Sequence, residues 1–138
     1  MYKSITELKV RYAETDQMGI VHHSNYYVYF EAAREDFIGG VGMEYAEMEQ
    51  MGIMMPIMET RCKYKEGAKY GDILLIETSL KELSPVKVLL TYNIKRKNDQ
   101  KLLAKGETVQ AFVDKEKFKI INLKRNYPEV YEKFQKLL

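Results

Sequence analysis

Apolar positions along this chain change period near residue 55. Between residues 25 and 38, Tyr26, Phe30, Ala33 and Phe37 recur at i, i+4, i+7 and i+11, which predicts a helix with one apolar face. Ser24 or Asn25 can cap its start, and Gly39-Gly40 can end it. A shorter helix is expected from about Met43 to Met51, closed by Gly52. Ahead of both, residues 4 to 13 carry Ile5, Leu8, Val10 and Tyr12 and read as a first strand. Further on, the period becomes two. Val86, Val88, Leu90, Tyr92 and Ile94 alternate with Lys87, Leu89, Thr91, Asn93 and Lys95, as in a strand with one buried face. Strands are expected over 56–66, 73–83, 86–97 and 101–114, with the loop Gly67-Ala68-Lys69-Tyr70-Gly71-Asp72 after the first of them. Ser84-Pro85 and Asn98-Asp99 are turn sequences and predict antiparallel hairpins. Pro128 suits the first turn of a last helix, striped by Val130, Tyr131, Phe134 and Leu138.

Five antiparallel strands with one apolar face need a cover. The segment 25–38 is the only early element long enough to supply it, so the expected class is α+β, a sheet wrapped around a long helix. No linker, low-complexity stretch or internal repeat divides residues 1–138, and one domain is expected. The open sheet leaves edges, which a homodimer joined edge to edge would reduce.

Composition narrows the class. Hydrophobic residues make up 46% and charged residues 30%, the balance of a globular chain. No apolar run approaches the roughly 18 residues of a membrane span, and Met1-Tyr2-Lys3-Ser4-Ile5 lacks a signal-peptide pattern. Cys62 is the one cysteine, so no internal disulfide can form. A cytoplasmic protein is expected. The net charge of +2 hides an asymmetry: residues 1–60 hold four basic and ten acidic groups, whereas residues 61–138 hold 18 basic and ten acidic. A basic second half suits either solvated lysines on sheet faces or a phosphorylated ligand. Glycine-rich phosphate loops and dinucleotide fingerprints are missing, and the basic residues are interleaved with acids, so neither nucleotide chemistry nor nucleic-acid binding is expected. With no H-x-x-x-H or C-x-x-C spacing, no metal is expected either.

The candidate chemistry lies between strand one and the long helix, in Thr15-Asp16-Gln17-Met18-Gly19-Ile20-Val21-His22-His23-Ser24. A helix N-terminus offers free N–H donors to developing negative charge, and Asp16 stands a few residues upstream. A carboxylate facing an oxyanion site is the minimum equipment for hydrolysing an activated acyl group. The plain alternative for Asp16 is an Asx-turn beside Gly19. His23 can polarise a carbonyl through its N–H or its ring, or simply pack over the helix end. One of the adjacent pair His22 and His23 is expected to face solvent. Glu31 and Arg34, at i and i+3, suggest an ion pair. Cys62 has no base placed to make it a nucleophile. Met51, Met54, Met55 and Met58 are expected in the core or lining an apolar pocket. The tyrosines of the long helix, Tyr26, Tyr27 and Tyr29, read mainly as packing.

Thr15-Asp16, Gly19, Val21, His23, Tyr26 and Phe30-Glu31-Ala32-Ala33-Arg34, with a second block from Tyr64 through Ala68-Lys69-Tyr70-Gly71-Asp72-Ile73-Leu74, resemble the hotdog-fold acyl-CoA thioesterases of the 4-hydroxybenzoyl-CoA thioesterase type. The element order matches over nearly the whole chain. The resemblance implies a hotdog fold, a five-stranded antiparallel sheet around a long central helix. It also implies dimers, often paired into tetramers, with sites at the dimer interface. Coenzyme A would be part of the substrate, and no separate cofactor is implied. Asp16 matches the family's catalytic aspartate, acting as nucleophile or general base. The His23 N–H matches the donor that polarises the thioester carbonyl. Gly19, Val21 and Tyr26 fall among the matching positions around the substrate. The arginine-serine pattern that some relatives carry near the coenzyme A phosphates is replaced by Ser84-Pro85-Val86-Lys87-Val88, leaving Lys87 as the charge there. A dehydratase or hydratase of the same fold, using His23 with Asp16 or Glu14, and a non-catalytic acyl-CoA binder are the alternative functions.

Overall fold

The computed structural model describes residues 1–138. The chain runs β1 (Lys3–Lys9), α1 (Asn25–Gly39), α2 (Tyr45–Gln50), β2 (Ile53–Met54), β3 (Ile57–Tyr64), β4 (Ile73–Leu83), β5 (Lys87–Arg96), β6 (Leu102–Ala111), β7 (Val113–Asp114), α3 (Leu123–Asn126) and α4 (Pro128–Gln135). Five strands form one antiparallel sheet in the order β1-β4-β5-β6-β3. The small strands β2 and β7 pair separately.

Alternation sets the two faces of the sheet. Leu74, Ile76, Thr78 and Leu80 of β4, Val88, Leu90, Tyr92 and Ile94 of β5, and Ala104, Gly106, Thr108 and Gln110 of β6 are all buried on the inner face. Helix α1 lies on that face and buries Tyr26, Tyr29, Phe30, Ala33, Phe37 and Ile38. Phe30 is the centre of the contact. Its ring stacks on Tyr92, with 4.4 Å between centroids and 18° between planes. This close approach requires glycine at 106, because a Cβ there would overlap the far edge of the Phe30 ring. Burying one such aromatic contributes about 1.5–3 kcal/mol. At the other side of the sheet, Thr6 of β1 donates to the Asp36 carboxylate and ties α1 down. Helix α4 closes one end with Val130, Tyr131 and Phe134, the last against Phe112 at 5.6 Å.

The expected α+β architecture and both hairpins are present, and several details differ. The first strand stops at Lys9, and a 3-10 turn follows at Tyr12–Glu14. Its inner face is carried by Thr6 and Val10, while Ile5 and Tyr12 are exposed. Neither Ser24 nor Asn25 caps α1 through its side chain, because each bonds elsewhere in the preceding loop. Helix α2 begins at Tyr45 rather than Met43. The expected strand 101–114 breaks at Phe112, where the ring turns into the core, and leaves β7 to pair with β2. Leu138 is half exposed and Leu137 takes the buried place. Glu31 and Arg34 do not pair: Glu31 faces solvent, and Arg34 reaches the Tyr92 hydroxyl at 3.4 Å. Of the methionines, Met48 is the fully buried one, whereas Met51 and Met58 are about half exposed, at 42% and 59%.

Candidate active site

Residues 15–21 form a miniature hairpin. A bridge pairs Thr15 with Val21, the Asp16 N–H donates to the Ile20 carbonyl at 2.8 Å, and the Gly19 N–H donates back to the Asp16 carbonyl at 2.9 Å. Gly19 has φ +82°, the left-handed backbone that glycine adopts without strain. Asp16 Oδ1 accepts the Met18 N–H at 2.8 Å, so the Asx-turn does form. It uses one carboxylate oxygen only. Oδ2 has no hydrogen-bond partner in the protein. A turn therefore fixes the orientation of Asp16 and leaves an acceptor oxygen free.

Glu14 binds this hairpin to the helix. Its backbone carbonyl accepts the His22 N–H at 2.9 Å and the Asn25 side-chain amide at 2.9 Å. Its carboxylate accepts the Tyr29 hydroxyl and the Arg11 N–H. His22 Nδ1 bonds Ser24 Oγ at 2.8 Å, and the His22 ring stacks on His23 at 4.2 Å. Both histidines are exposed. Around them, every N–H from Val21 to Tyr26 donates to a protein acceptor except that of His23. A backbone N–H left unpaired at the start of a helix can donate to an oxyanion.

A small cavity of about 210 Å³ brings these groups together. Asp16, Val21, His23 and Tyr26 line it, with Tyr64 from β3 as a further wall. Gly19 stands in the same turn. Lys87 does not join them. It lies across the molecule beside Leu89 and Val109, in a groove on the outer face of the sheet. Lys65 is the lysine that lines the Asp16 cavity.

Tyr64 is the neighbour that residue patterns did not single out as a site residue. Its hydroxyl donates to the His23 carbonyl at 3.3 Å, and its ring meets Tyr26 edge to face at 5.1 Å. The two residues are 41 positions apart in sequence, and no local spacing links them. Poor solvation, and next the neighbouring Cys62, push the Tyr64 phenol well above its ordinary range. Burial raises Tyr26 and Tyr29 as well, the latter reinforced by Glu14. These phenols thus stay neutral; those of Tyr29 and Tyr64 donate, whereas the Tyr26 hydroxyl accepts the Ala68 N–H at 3.5 Å. Burial also raises the Cys62 thiol, which keeps it from being a thiolate nucleophile.

Asp16 with a free carboxylate oxygen and His23 with an unpaired N–H, both lining one aromatic-walled cavity, are the residue types that can polarise an acyl carbonyl and deliver a nucleophile to it. The comparisons with known proteins point the same way. Residues 10–134 match the family model described as the thioesterase-like superfamily. The chain is 35% identical over 136 residues to the Bacillus subtilis (strain 168) protein named "Putative acyl-CoA thioesterase YneP", covering 99% of this chain and 98% of that one. Its structure superposes on a DHNA-CoA thioesterase from Staphylococcus aureus with a TM-score of 0.93 and 35% identity, covering 99% and 91% of the two chains. A hypothetical protein of Thermus thermophilus, TT1821, matches with a TM-score of 0.87 and 37% identity over 99% and 98%. The fold is thus shared nearly from end to end with these proteins, and the chain is a member of the thioesterase-like superfamily.

Proposed function

We propose that this protein hydrolyses an acyl-CoA thioester to the free acid and coenzyme A, with Asp16 and the His23 N–H at the reacting carbonyl. The observation that carries this reading is that Asp16, with one unpartnered carboxylate oxygen, and His23, with an unpartnered backbone N–H, line one cavity. The thioester carbonyl oxygen would accept the His23 N–H and gain negative charge as the carbonyl carbon is attacked. Asp16 Oδ2 either attacks that carbon, expelling the coenzyme A thiolate and leaving an anhydride for water to cleave, or removes a proton from the attacking water. Gly19 holds the turn, while Val21 and Tyr26 wall the acyl group. The aromatic walls Tyr26, Tyr64 and His23 suit a flat acyl group, in keeping with the DHNA-CoA thioesterase named among the similar structures.

Thiol release from short-chain, long-chain and aromatic acyl-CoAs tests the reading. Release is expected with at least one class, and Asp16→Asn is expected to lower kcat by roughly 10²-fold or more while the fold is retained. An enoyl or hydroxyacyl product with the thioester intact would assign a hydratase instead. Tight binding without release across the panel would make the protein a binder. Label found in the Asp16 carboxylate after turnover in ¹⁸O-water would assign the nucleophilic route, since general-base catalysis puts the water oxygen only in the product acid.

The working form we propose is a homodimer, or a pair of dimers. Strand β3 is an edge of the sheet, and Met58, Tyr64 and, on α1, Val28 are 59%, 46% and 57% exposed. A second copy laid along β3 would pair its free backbone groups and cover these side chains. Sedimentation at micromolar concentration is expected to give at least a dimer, and a fully active monomer would remove the partner from the site.

A further inference from the structure

Residues 65–72 have no regular structure, and yet one wall of the Asp16 cavity rests on them. They connect β3, an edge strand, to β4, so the loop must cross the ends of β6 and β5, which lie between. On the way it makes two contacts with the hairpin that carries Asp16. The Val21 N–H donates to the Ala68 carbonyl at 2.8 Å. The Ile20 side chain lies so close to Gly67 that a Cβ there would overlap it. Ile20 is also the residue whose carbonyl accepts the Asp16 N–H. Moving this loop therefore moves Ile20, and Asp16 with it.

Arg96, the last residue of β5, holds the loop at both ends. Its Nη2 donates to Glu66 Oε2 at 2.8 Å and its Nε to Asp72 Oδ2 at 3.3 Å, while Nη1 donates to Asp99 in the β5–β6 turn at 2.8 Å. One planar, half-enclosed guanidinium thus fixes the separation of residues 66 and 72, which an ammonium cannot do from a single nitrogen. The β5–β6 turn does not need these bonds to close. Its own backbone does so, with the Arg96 N–H on the Lys101 carbonyl and the Gln100 N–H on the Arg96 carbonyl. Arg96 and Ile20 line one cavity of about 510 Å³, and Ile20, Glu66 and Gly67 are walls both of it and of the cavity that holds Asp16. The clamp lies directly behind the candidate site.

We infer that Arg96 is a positioning residue for Asp16: by gripping Glu66 and Asp72 it sets the loop against which the Asp16 hairpin is registered, without touching substrate. The inference rests on the proposed role of Asp16 in thioester hydrolysis, while the mechanical link from Arg96 to the hairpin can be read without turnover.

A displacement of about 1 Å at a reacting group can cost about 10²-fold in rate. Arg96→Met, assayed well below its Tm, is expected to lower kcat on a hydrolysed acyl-CoA at least tenfold and to leave KM within about twofold. Arg96→Lys keeps the charge and is expected to melt between the parent and Arg96→Met without restoring kcat. Lys97→Gln breaks the neighbouring Lys97–Glu7 ion pair, bonds to no residue of the loop, and is expected to keep the parent kcat. Hydrogen exchange reads the link directly. The Asp16 and Val21 amides are expected to exchange at least tenfold faster in Arg96→Met and at the parent rate in Lys97→Gln. A loss of global stability alone would speed Leu90 and Tyr92 and leave those two amides, which open locally, as they are. If Arg96→Met does not fold, Glu66→Gln carries both tests with the same expected directions. Unchanged exchange at Asp16 and Val21, a kcat within twofold of the parent, or full recovery of kcat in Arg96→Lys overturns the inference. A parent that releases no thiol from any acyl-CoA overturns the proposed activity instead, and faster exchange at the two amides then still upholds Arg96 as the residue that sets the Asp16 hairpin.

Discussion

The Tyr29 hydroxyl donates to the Glu14 carboxylate at 2.9 Å, and through this bond the loop carrying Asp16 is fastened to the middle of α1. A hydrogen bond to a charged group is worth about 1.5–3 kcal/mol, and Arg11 also holds Glu14, so Tyr29→Phe should cost near the lower end of that range. Because the bond sets the loop rather than touching substrate, kcat should fall several-fold with little change in KM. Urea unfolding and steady-state kinetics check the two parts. A Tyr29→Phe protein as stable and active as the parent would show that the loop is held without it.

Asp16 and His23 should respond differently to side-chain removal. In the proposed mechanism Asp16 acts through its carboxylate and His23 through its backbone. His23→Ala leaves the N–H in place and is expected to keep kcat within about tenfold, whereas Asp16→Asn loses roughly 10²-fold or more. Comparable losses in both would move the role of His23 to its ring.

Gly106→Ala puts a methyl group into the edge of the Phe30 ring. Overpacking of this kind costs about 1–3 kcal/mol. Phe30→Leu in the same chain relieves the clash, so the double variant should be more stable than the sum of the two single losses. Additive losses in denaturant melts would mean that the helix shifts away instead.

Stability should fall on acidification through the Glu66 cluster. Hydrogen bonds first from Lys101 and then from Arg96 hold the Glu66 carboxyl below its ordinary range, and the Lys101 N–H and Arg96 do the same for Asp99. Their folded values lie under the unfolded ones. The stabilisation is therefore complete above the ordinary carboxyl range near pH 4 and fades as pH drops through the folded values. Glu66→Gln should lower Tm at neutral pH and flatten its acid limb, meeting the parent curve where both side chains are neutral. Parallel curves would show that the ion pairs around Arg96 contribute nothing.

Local periodicity made α1 and the β4–β5–β6 meander legible. Tyr26, Phe30, Ala33 and Phe37 are all buried as their spacing requires, and the turns at Ser84-Pro85 and Asn98-Asp99 both join antiparallel neighbours. That Asp16, His23, Val21 and Tyr26 gather in one place was legible for a related reason, since one short loop and one helix turn carry them all. What escaped depends on the third dimension. Tyr64 reaches His23 only because β3 lies beside the start of α1. Arg34 forsakes Glu31 because Tyr92 lies under the helix, a neighbour that no i, i+3 rule can supply. Lys87 starts β5 beside Ala111, at the other end of β6 from Ala104, the register partner of Tyr64, and no local spacing relates it to Asp16. Short elements such as β2, β7 and α3 have too few residues to establish a period.

The order of strands in the sheet has a kinetic consequence. The central meander β4–β5–β6 joins neighbours in sequence, whereas each edge strand must find a distant partner: Lys3 pairs with Ser79, and Ile57 with Gln110. Closing long loops is slow, so the meander is the natural nucleus and β1 and β3 dock late. Those late strands flank the Asp16 loop, β1 leading directly into it and β3 supplying Tyr64. The last region to fold is also the first to open. Amide hydrogens of residues 15–23 should exchange through small local fluctuations, while those of Leu90 and Tyr92 wait for the whole molecule to unfold.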